Sequence, residues 1–509
     1  MSNNPRSTSS YQSEGVLNSF RRAFWLAAAG RYFGMAANLT TLAIVSRLLK
    51  PEEIGLFVVG SATVVLLQSV REFGTPNYLI QRPQITDDDV RGPFTVMALL
   101  SGIVAAILAI GGPWLASAYG EPRLTLFLQI AALSTLIDLF SHPIIALLSR
   151  QMAFGRVTAI AIVNAAVNLA TTVLMAELGF GFMSFAWAWL ASALGNAILA
   201  FRLRPQTRIF LPSTTGWRDM ATFGIRHGAN YVLQQFYEQI PYLLLGRFSS
   251  AVVVGMYNRA LLVSRLPDRV LLGGVIPVVL PAVSTHLRES GDVNAPYLRG
   301  IEVLTGVQWP IFALIALLAH PLVHLLLGEQ WINAVPLVQI LAVATMWSFA
   351  FQLNSQFLIA VGAMRDLFRC SLVVLPVSTL LSGCAAIFGA EALAISLLLV
   401  IPLQAYATFL CVGRYMNWAW RQLGLALGRS AAVVSCSAVG PVGLLAFNGF
   451  RPDLSMPMAI LAGLLSVAGW LGGLGLTHHP ILDELQPVMH RLRWLMSPRT
   501  PRRRPVVAE

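Results

Sequence analysis

Two arginines sit inside hydrophobic stretches, each between glycines four residues apart: Arg31 in Gly30-Arg-Tyr-Phe-Gly34 and Arg226 in Gly224-Ile-Arg-His-Gly228. A charged group at the centre of a membrane helix costs about 2.5–3.5 kcal/mol even on a lenient scale, so it usually faces a cavity or a partner. Asn230, Gln234 and Glu238 follow Arg226 at intervals of four, with Tyr237 beside them. They draw a slowly drifting polar stripe along one helix. Asn258, Arg265 and Arg269 share a face of the next apolar stretch, near Arg259 and Asp268. Guanidinium stays charged in low dielectric and grips phosphate oxygens with a planar fork. These residues therefore predict a wet, positively charged cavity for an anionic ligand, and a pyrophosphate-linked lipid meets that description. The competing readings are snorkelling of the arginines to lipid headgroups and a structural network between helices.

Asp138 and His142 lie one turn apart just before Pro143, a pair that could relay protons or bind a coupling cation. Glu238 is the other coupling-ion candidate. An ordinary hydrogen-bonded pair is the plainer reading of Asp138 and His142. His320 and His324 have the i, i+4 spacing of metal ligands but no third ligand in a motif, so no metal is expected. Cys370, Cys384, Cys411 and Cys436 read as small buried hydrophobes, and no cofactor motif is present.

The elements that must position these residues are membrane helices. The 509-residue chain is 56% hydrophobic and only 11% charged, with mean hydropathy +0.67; a soluble protein would carry about 25% charge. The net charge of +12 does not point to nucleic acid, because the basic residues are spread over many short loops. Runs of about 20 apolar residues predict helices at 23–46, 54–80, 93–118, 124–148, 157–176, 182–201, 221–245, 252–281, 299–327, 333–359, 368–388, 391–412, 424–447 and 456–477. Phe388-Gly-Ala-Glu391 supplies a turn inside the longest run. Trp187, Trp189, Trp418 and Trp420 read as aromatics of the membrane interface.

Basic residues tend to stay cytoplasmic. With a cytoplasmic N-terminus, only Arg47, Lys50, Arg123, Arg247 and Arg451 fall in outside loops. Both termini are then cytoplasmic. The expected organisation is a tail over 1–22, a six-helix bundle over 23–204, a cytoplasmic linker over 205–220 and a second six-helix bundle over 221–413. Two further helices over 414–478 and a basic tail over 479–509 complete it. The architecture is all-α and polytopic. The outside loops are too short for the large external domain of a membrane-embedded polymerase or glycosyltransferase.

The chain echoes itself at a distance of 200 residues: Arg47, Gly55 and Phe57 match Arg247, Gly255 and Tyr257. Gly120-Glu121 with Leu128-Gln129-Ile130 is echoed by Gly328-Glu329 with Val338-Gln339-Ile340. Two related halves entering the membrane from the same side are parallel repeats, a common build of transporters. The echo marks a packing and turn element that locates the seam between the halves.

The stretch Ser46-Arg-Leu-Leu-Lys-Pro-Glu-Glu-Ile-Gly-Leu-Phe57 resembles the first external loop of bacterial polysaccharide transporters. So do Glu72-Phe-Gly-Thr-Pro-Asn-Tyr-Leu-Ile-Gln81 and Ala146-Leu-Leu-Ser-Arg-Gln-Met-Ala-Phe154. The second half adds Gly255-Met-Tyr-Asn-Arg-Ala260, Leu266-Pro267, Pro281-Ala-Val-Ser284 and Gly328-Glu-Gln-Trp331. These transporters group with oligosaccharide flippases and multidrug extruders. The resemblance implies a V-shaped pair of bundles that alternates access. It would carry an undecaprenyl-pyrophosphate-linked oligosaccharide across the bacterial inner membrane for exopolysaccharide, capsule or O-antigen assembly. Membrane lipids and the lipid-linked oligosaccharide are the implied partners, with a polymerase and a chain-length regulator alongside. In that setting Arg31, Arg226 and Arg265 would hold the pyrophosphate, and Asn230, Gln234 and Tyr237 would face the sugar. Gly273, Gly274, Pro277 and Pro281 could flex. The alternative is a cation-coupled multidrug extruder, which would place carboxylates rather than arginines in the cavity.

Overall fold

A computed structural model describes residues 30–71, 87–205, 208–213, 217–269, 294–416 and 420–483. The side chains of 87–89 and 217–227 lie outside the description, as do both tails, the predicted flexible glycines and prolines, and the 72–81 and 281–284 motifs. The described residues form helices and no β-strand. In chain order these are α1 (30–48), α2 (Pro51–Ser69), α3 (Asp87–Tyr119), α4 (Arg123–Asp138), α5 (Ser141–Arg150), α6 (Phe154–Glu177) and α7 (Met183–Leu203). There follow α8 (Trp217–Phe248), α9 (Ala251–Ser264), α10 (Asn294–Leu317), α11 (Ala319–Leu326), α12 (Val335–Thr345) and α13 (Ser348–Ala360). The chain continues through α14 (Met364–Ile387), α15 (Ala390–Val412), α16 (Trp420–Phe447) and α17 (Met456–Leu476).

Among the described residues, ten helices are long and apolar enough to cross a membrane, or eleven counting one bent pair. The protein is a multi-pass membrane protein. Several predicted spans are broken rather than continuous. The stretch 124–148 splits into α4 and α5 with a bend of 41°. Pro143, in the first turn of α5, has no N–H to continue the ladder, and the Ser141 hydroxyl bonds the Asp138 carbonyl at 2.8 Å. The stretch 299–327 breaks at Leu318, and 333–359 breaks at Met346 and Trp347. There the indole N–H of Trp309 takes up the Met346 carbonyl at 2.7 Å. The helix from Ala251 ends at Ser264, with a turn at Arg265. The predicted turn before Glu391 does separate α14 from α15. Gly389 takes φ +112° there, a conformation that L side chains rarely adopt.

The helices pack into two compact units. The first contains Met1–Val263, Leu322–Leu337 and Phe368–Val400. Its aromatic core joins α2, α4 and α7: Phe57 stacks on Phe185 with centroids 3.7 Å apart, and Phe127 sits edge-on to Phe57. Trp189 belongs to this cluster, 5.6 Å from Phe127. Trp420 is exposed and tilts against Tyr406, and Trp418 lies outside the described residues.

The second unit contains Ser264–Pro321, Val338–Leu367 and Ile401–Glu509. Tyr297, Trp309, Phe349, Phe357 and Phe409 form its core. The last two helices belong to this unit and are tied to α10 by polar contacts. Arg429 pairs with Glu302 at 3.2 Å, and the Thr305 and Ser430 hydroxyls bond at 2.8 Å. Trp470 donates to the Gly306 carbonyl at 2.8 Å. Such bonds hold helices together where no water competes for them. The four cysteines are free, but none is fully buried and Cys384 is exposed, so the buried-hydrophobe reading fails for it. Lipid, rather than protein, is a suitable neighbour for an apolar thiol on a membrane helix.

Candidate functional site

The 200-residue echo closes on itself in space. Within the first unit, α2 and α9 cross at their N-terminal ends with backbones in contact. A methyl placed on Gly55 would run into the Ala251 carbonyl oxygen, and one on Gly255 into the Pro51 carbonyl oxygen. The two contacts are the same contact seen from either repeat, as a pseudo-twofold crossing requires. Only residues without a side chain permit this approach. Hydrogen bonds flank the crossing on both sides. Arg47 Nη2 donates to the Leu325 carbonyl at 2.6 Å. The Ser46 carbonyl accepts from Gln330 Nε2 at 2.5 Å and from Trp331 Nε1 at 2.7 Å. At the end of α3, the Tyr119 hydroxyl donates to the Leu243 carbonyl of α8 at 2.8 Å. The turn after α1 and the end of α3 thus both bond to segments of the second half of the chain.

An acidic anchor supports the first turn. Glu53 accepts from the backbone N–H of Phe182 at 2.6 Å, at the start of α7, and lies 3.5 Å from Arg123. A carboxylate at a helix N-terminus is favourable because the exposed N–H groups carry partial positive charge. Arg123 also bonds Glu121 at 2.8 Å, and that hydrogen bond holds the Glu121 carboxyl below its ordinary pKa.

The predicted cavity residues are distributed as follows. Asn230, Gln234, Tyr237 and Glu238 lie half-buried along α8, and Asn230 Oδ1 is buried with no hydrogen-bond partner among the described residues. Asn258 Nδ2 donates to the Tyr242 hydroxyl at 3.3 Å, tying α9 to α8. Arg31 is exposed on α1. Its flanking Gly30 packs closely on Thr158 of α6, whereas Gly34 faces open space, so only one of the two glycines serves a close approach. Arg226 is on α8, with its side chain outside the described residues. Arg265 and Arg269 belong to the second unit, Arg265 half-buried at the turn after α9 and Arg269 exposed.

Asp138 and His142 do meet, with His142 Nε2 3.0 Å from Asp138 Oδ2. The spacing rule does not reveal the third member, Arg71 at the end of α2. Arg71 Nη2 lies 3.4 Å from the same histidine nitrogen and the residue is buried. Ser141 donates to Asp138 Oδ1 at 2.9 Å. Sequence reasoning also passed over Arg259 as a site residue. It is 5% exposed, stands over the Trp331 ring at 5.8 Å, and leaves its Nε without a hydrogen-bond partner among the described residues. Its position within an apolar stretch was the available signal. No group of three or more His, Cys, Asp or Glu side chains able to hold a metal occurs among the described residues.

Residues 44–336 match the model of a family described as polysaccharide biosynthesis protein. The chain belongs to that family. Among characterised relatives, the family member is 22% identical over 301 residues to the teichuronic acid biosynthesis protein TuaB of Bacillus subtilis, covering 58% of this chain and 62% of the relative. It is 23% identical over 312 residues to the succinoglycan biosynthesis transport protein ExoT of Rhizobium meliloti, covering 61% and 63%. The matched region thus spans less than two thirds of these relatives. The fold is that of the lipid II flippase MurJ in an inward closed conformation, with a TM-score of 0.69 at 11% identity over 88% of this chain and 97% of MurJ. An inward-facing multidrug resistance MATE family transporter of the MOP superfamily gives a TM-score of 0.60 at 18% identity, over 75% of this chain and 94% of the transporter.

Proposed function

We propose that this protein flips an undecaprenyl-pyrophosphate-linked oligosaccharide from the cytoplasmic to the periplasmic leaflet of a bacterial inner membrane, by alternating access. The observation that carries the reading is the reciprocal crossing of α2 and α9, in a chain of a polysaccharide biosynthesis family with a flippase fold. A transporter with two related halves must close one end of its path while the other opens. The distribution of arginines assigns the turns at 47–50 and 247–250 to the periplasmic side. The crossing and its flanking bonds then hold the periplasmic end shut. Fourteen spans, two six-helix bundles over 23–204 and 221–413, and cytoplasmic termini complete the picture. The C-terminal helices stand apart from the repeat.

In the inward-open state Arg31, Arg226 and Arg265 hold the pyrophosphate, with Asn258 and Arg269 as further groups for it. Asn230, Gln234, Tyr237 and Glu238 offer hydrogen bonds to the sugar, and Asn230 Oδ1 is an acceptor awaiting a donor. The polyprenyl chain stays in lipid. A polymerase and a chain-length regulator consume the translocated unit. Substrate drives the change of access only by binding the two states differently.

The likeness to MATE transporters favours one rival, a cation-coupled extruder of small molecules. Deletion of the gene separates the two. On the flippase reading, polymer disappears and lipid-linked repeat unit accumulates on the cytoplasmic side. Wild-type protein restores polymer, while Arg31→Ala with Arg226→Ala does not, despite normal membrane levels. Normal polymer from the double variant would remove these arginines from the path. Drug sensitivity with unchanged polymer would establish the rival.

A further inference from the structure

The chain does not run straight out of α17. His478, with φ +46°, caps the helix in the left-handed region that residues other than glycine seldom adopt. The His479 N–H reaches back to the Leu474 carbonyl at 3.0 Å, and Pro480 prevents the helix from continuing. The chain therefore folds back onto its own unit. It buries His479, 1% exposed, and packs Ile481 against Val433 of α16 and Val303 and Val307 of α10. A methyl placed on Gly306 of α10 would meet His479 Cε1 at 2.5 Å, so the ring fills the space that the glycine leaves. Asp483 closes the fold with Arg299 of α10 at 3.3 Å.

The ring is held through both nitrogens. The Ile481 N–H donates to Nδ1 at 3.4 Å, and Nε2 lies 3.4 Å from the Ser430 hydroxyl of α16. Nδ1 is thus the acceptor, which places the proton of a neutral imidazole on Nε2. A protonated ring carries a hydrogen on both nitrogens. Its Nδ1–H then confronts the Ile481 N–H, donor against donor. We propose that residues 477–483 form an acid-released clasp: neutral His479 locks the end of α17 onto α10 and α16, and protonation of the ring expels it.

Charged groups on the neighbouring elements set the balance. α10 brings Glu302 and Arg299, α16 brings Arg429, and the segment itself carries His478 and Asp483. α17 carries no titratable side chain. Burial holds the His479 imidazole below its ordinary pKa. Glu302 acts the other way, but it is paired at 3.2 Å with Arg429, whose charge opposes a proton on the ring. A base that is harder to protonate when clasped makes the clasp strongest above the free imidazole pKa of about 6.5. The clasp weakens as pH falls below that value, until the clasped ring itself takes up a proton. Between about pH 7.5 and about pH 5.5 the clasped state loses up to about tenfold in its equilibrium. The arginine distribution assigns this end of α17 to the cytoplasm, so the cue is internal acidification. The clasp does not depend on the identity of the substrate.

Hydrogen exchange of the full-length protein in detergent, read by mass spectrometry, follows the clasp through the amides of 477–483. Exchange at the two pH values is compared after correction for the chemical rate of free amides. In wild-type protein, protection of this segment is expected to fall several-fold, up to about tenfold, at the lower pH. His479→Gln keeps a neutral donor for Ser430 and takes up no proton, so its protection should be the same at both pH values. Gly306→Ala should strip the protection at both, because its methyl takes the place of the ring. Equal protection of the wild-type segment at the two pH values overturns the proposal. So does an acid-induced loss that survives in His479→Gln, since another group is then responsible. Should Gly306→Ala fail to fold, the wild type and His479→Gln decide the matter on their own.

Discussion

Asp138 and Asp268 are the same residue type in two different settings, and the difference lies in what other helices bring to them. Asp138 is partly exposed and already balanced: His142 contacts one oxygen, Ser141 the other, and the buried guanidinium of Arg71 stands behind the histidine. Asp268 is buried and is contacted directly by neutral donors, with Arg265 acting on it through its charge. A carboxylate with cations at hand is balanced within its own cluster, whereas one held by neutral donors depends on those hydrogen bonds. The i, i+4 histidine made Asp138 the more conspicuous coupling candidate in sequence. No local pattern marks Asp268 in the same way.

The largest effect that sharpens this contrast is expected from Asp268→Leu. It leaves the Gln308 amide and the Ser348 hydroxyl without their acceptor in the core of the second unit, at a cost on the order of 2–4 kcal/mol. The unfolding midpoint of the purified protein measures this. A smaller loss, about 1 kcal/mol, is expected from Ser348→Ala, because Gln308 continues to bond Asp268. Arg71→Ala should cost about 1 kcal/mol or less. The Asp138–His142 pair persists and is partly solvated, and one buried nitrogen of Arg71 has no hydrogen-bond partner among the described residues. Asp138→Asn should be nearly silent, since the amide oxygen still meets His142. If Asp138→Asn proves more damaging than Asp268→Leu, the ranking of the two centres is reversed.

What the sequence disclosed followed from local rules. Span positions came from hydropathy, and the turn at Gly389 from a glycine that interrupts an apolar run. The Asp138–His142 contact came from helical spacing. What stayed hidden was long-range. Arg71 is 71 residues from His142, and Gln308 and Ser348 are 40 and 80 residues from Asp268. No periodicity within one helix encodes such meetings. The helix breaks at 139–140, 318 and 346–347 were missed because the flanking residues are as apolar as the helices themselves. The echo of Gly55 and Gly255 lies between these extremes. Its spacing marked a repeated packing element, while the structure shows that the two glycines pack on each other's helix.

The central claim is that the protein moves a lipid-linked oligosaccharide between leaflets. Proteoliposomes carrying such a lipid in both leaflets, treated with a soluble glycosidase that cannot enter, test it most directly. The account predicts digestion well beyond the outer-leaflet half with wild-type protein, and only that half with Arg31→Ala, Arg226→Ala protein. Digestion that stops at half in the presence of correctly folded wild-type protein would contradict it.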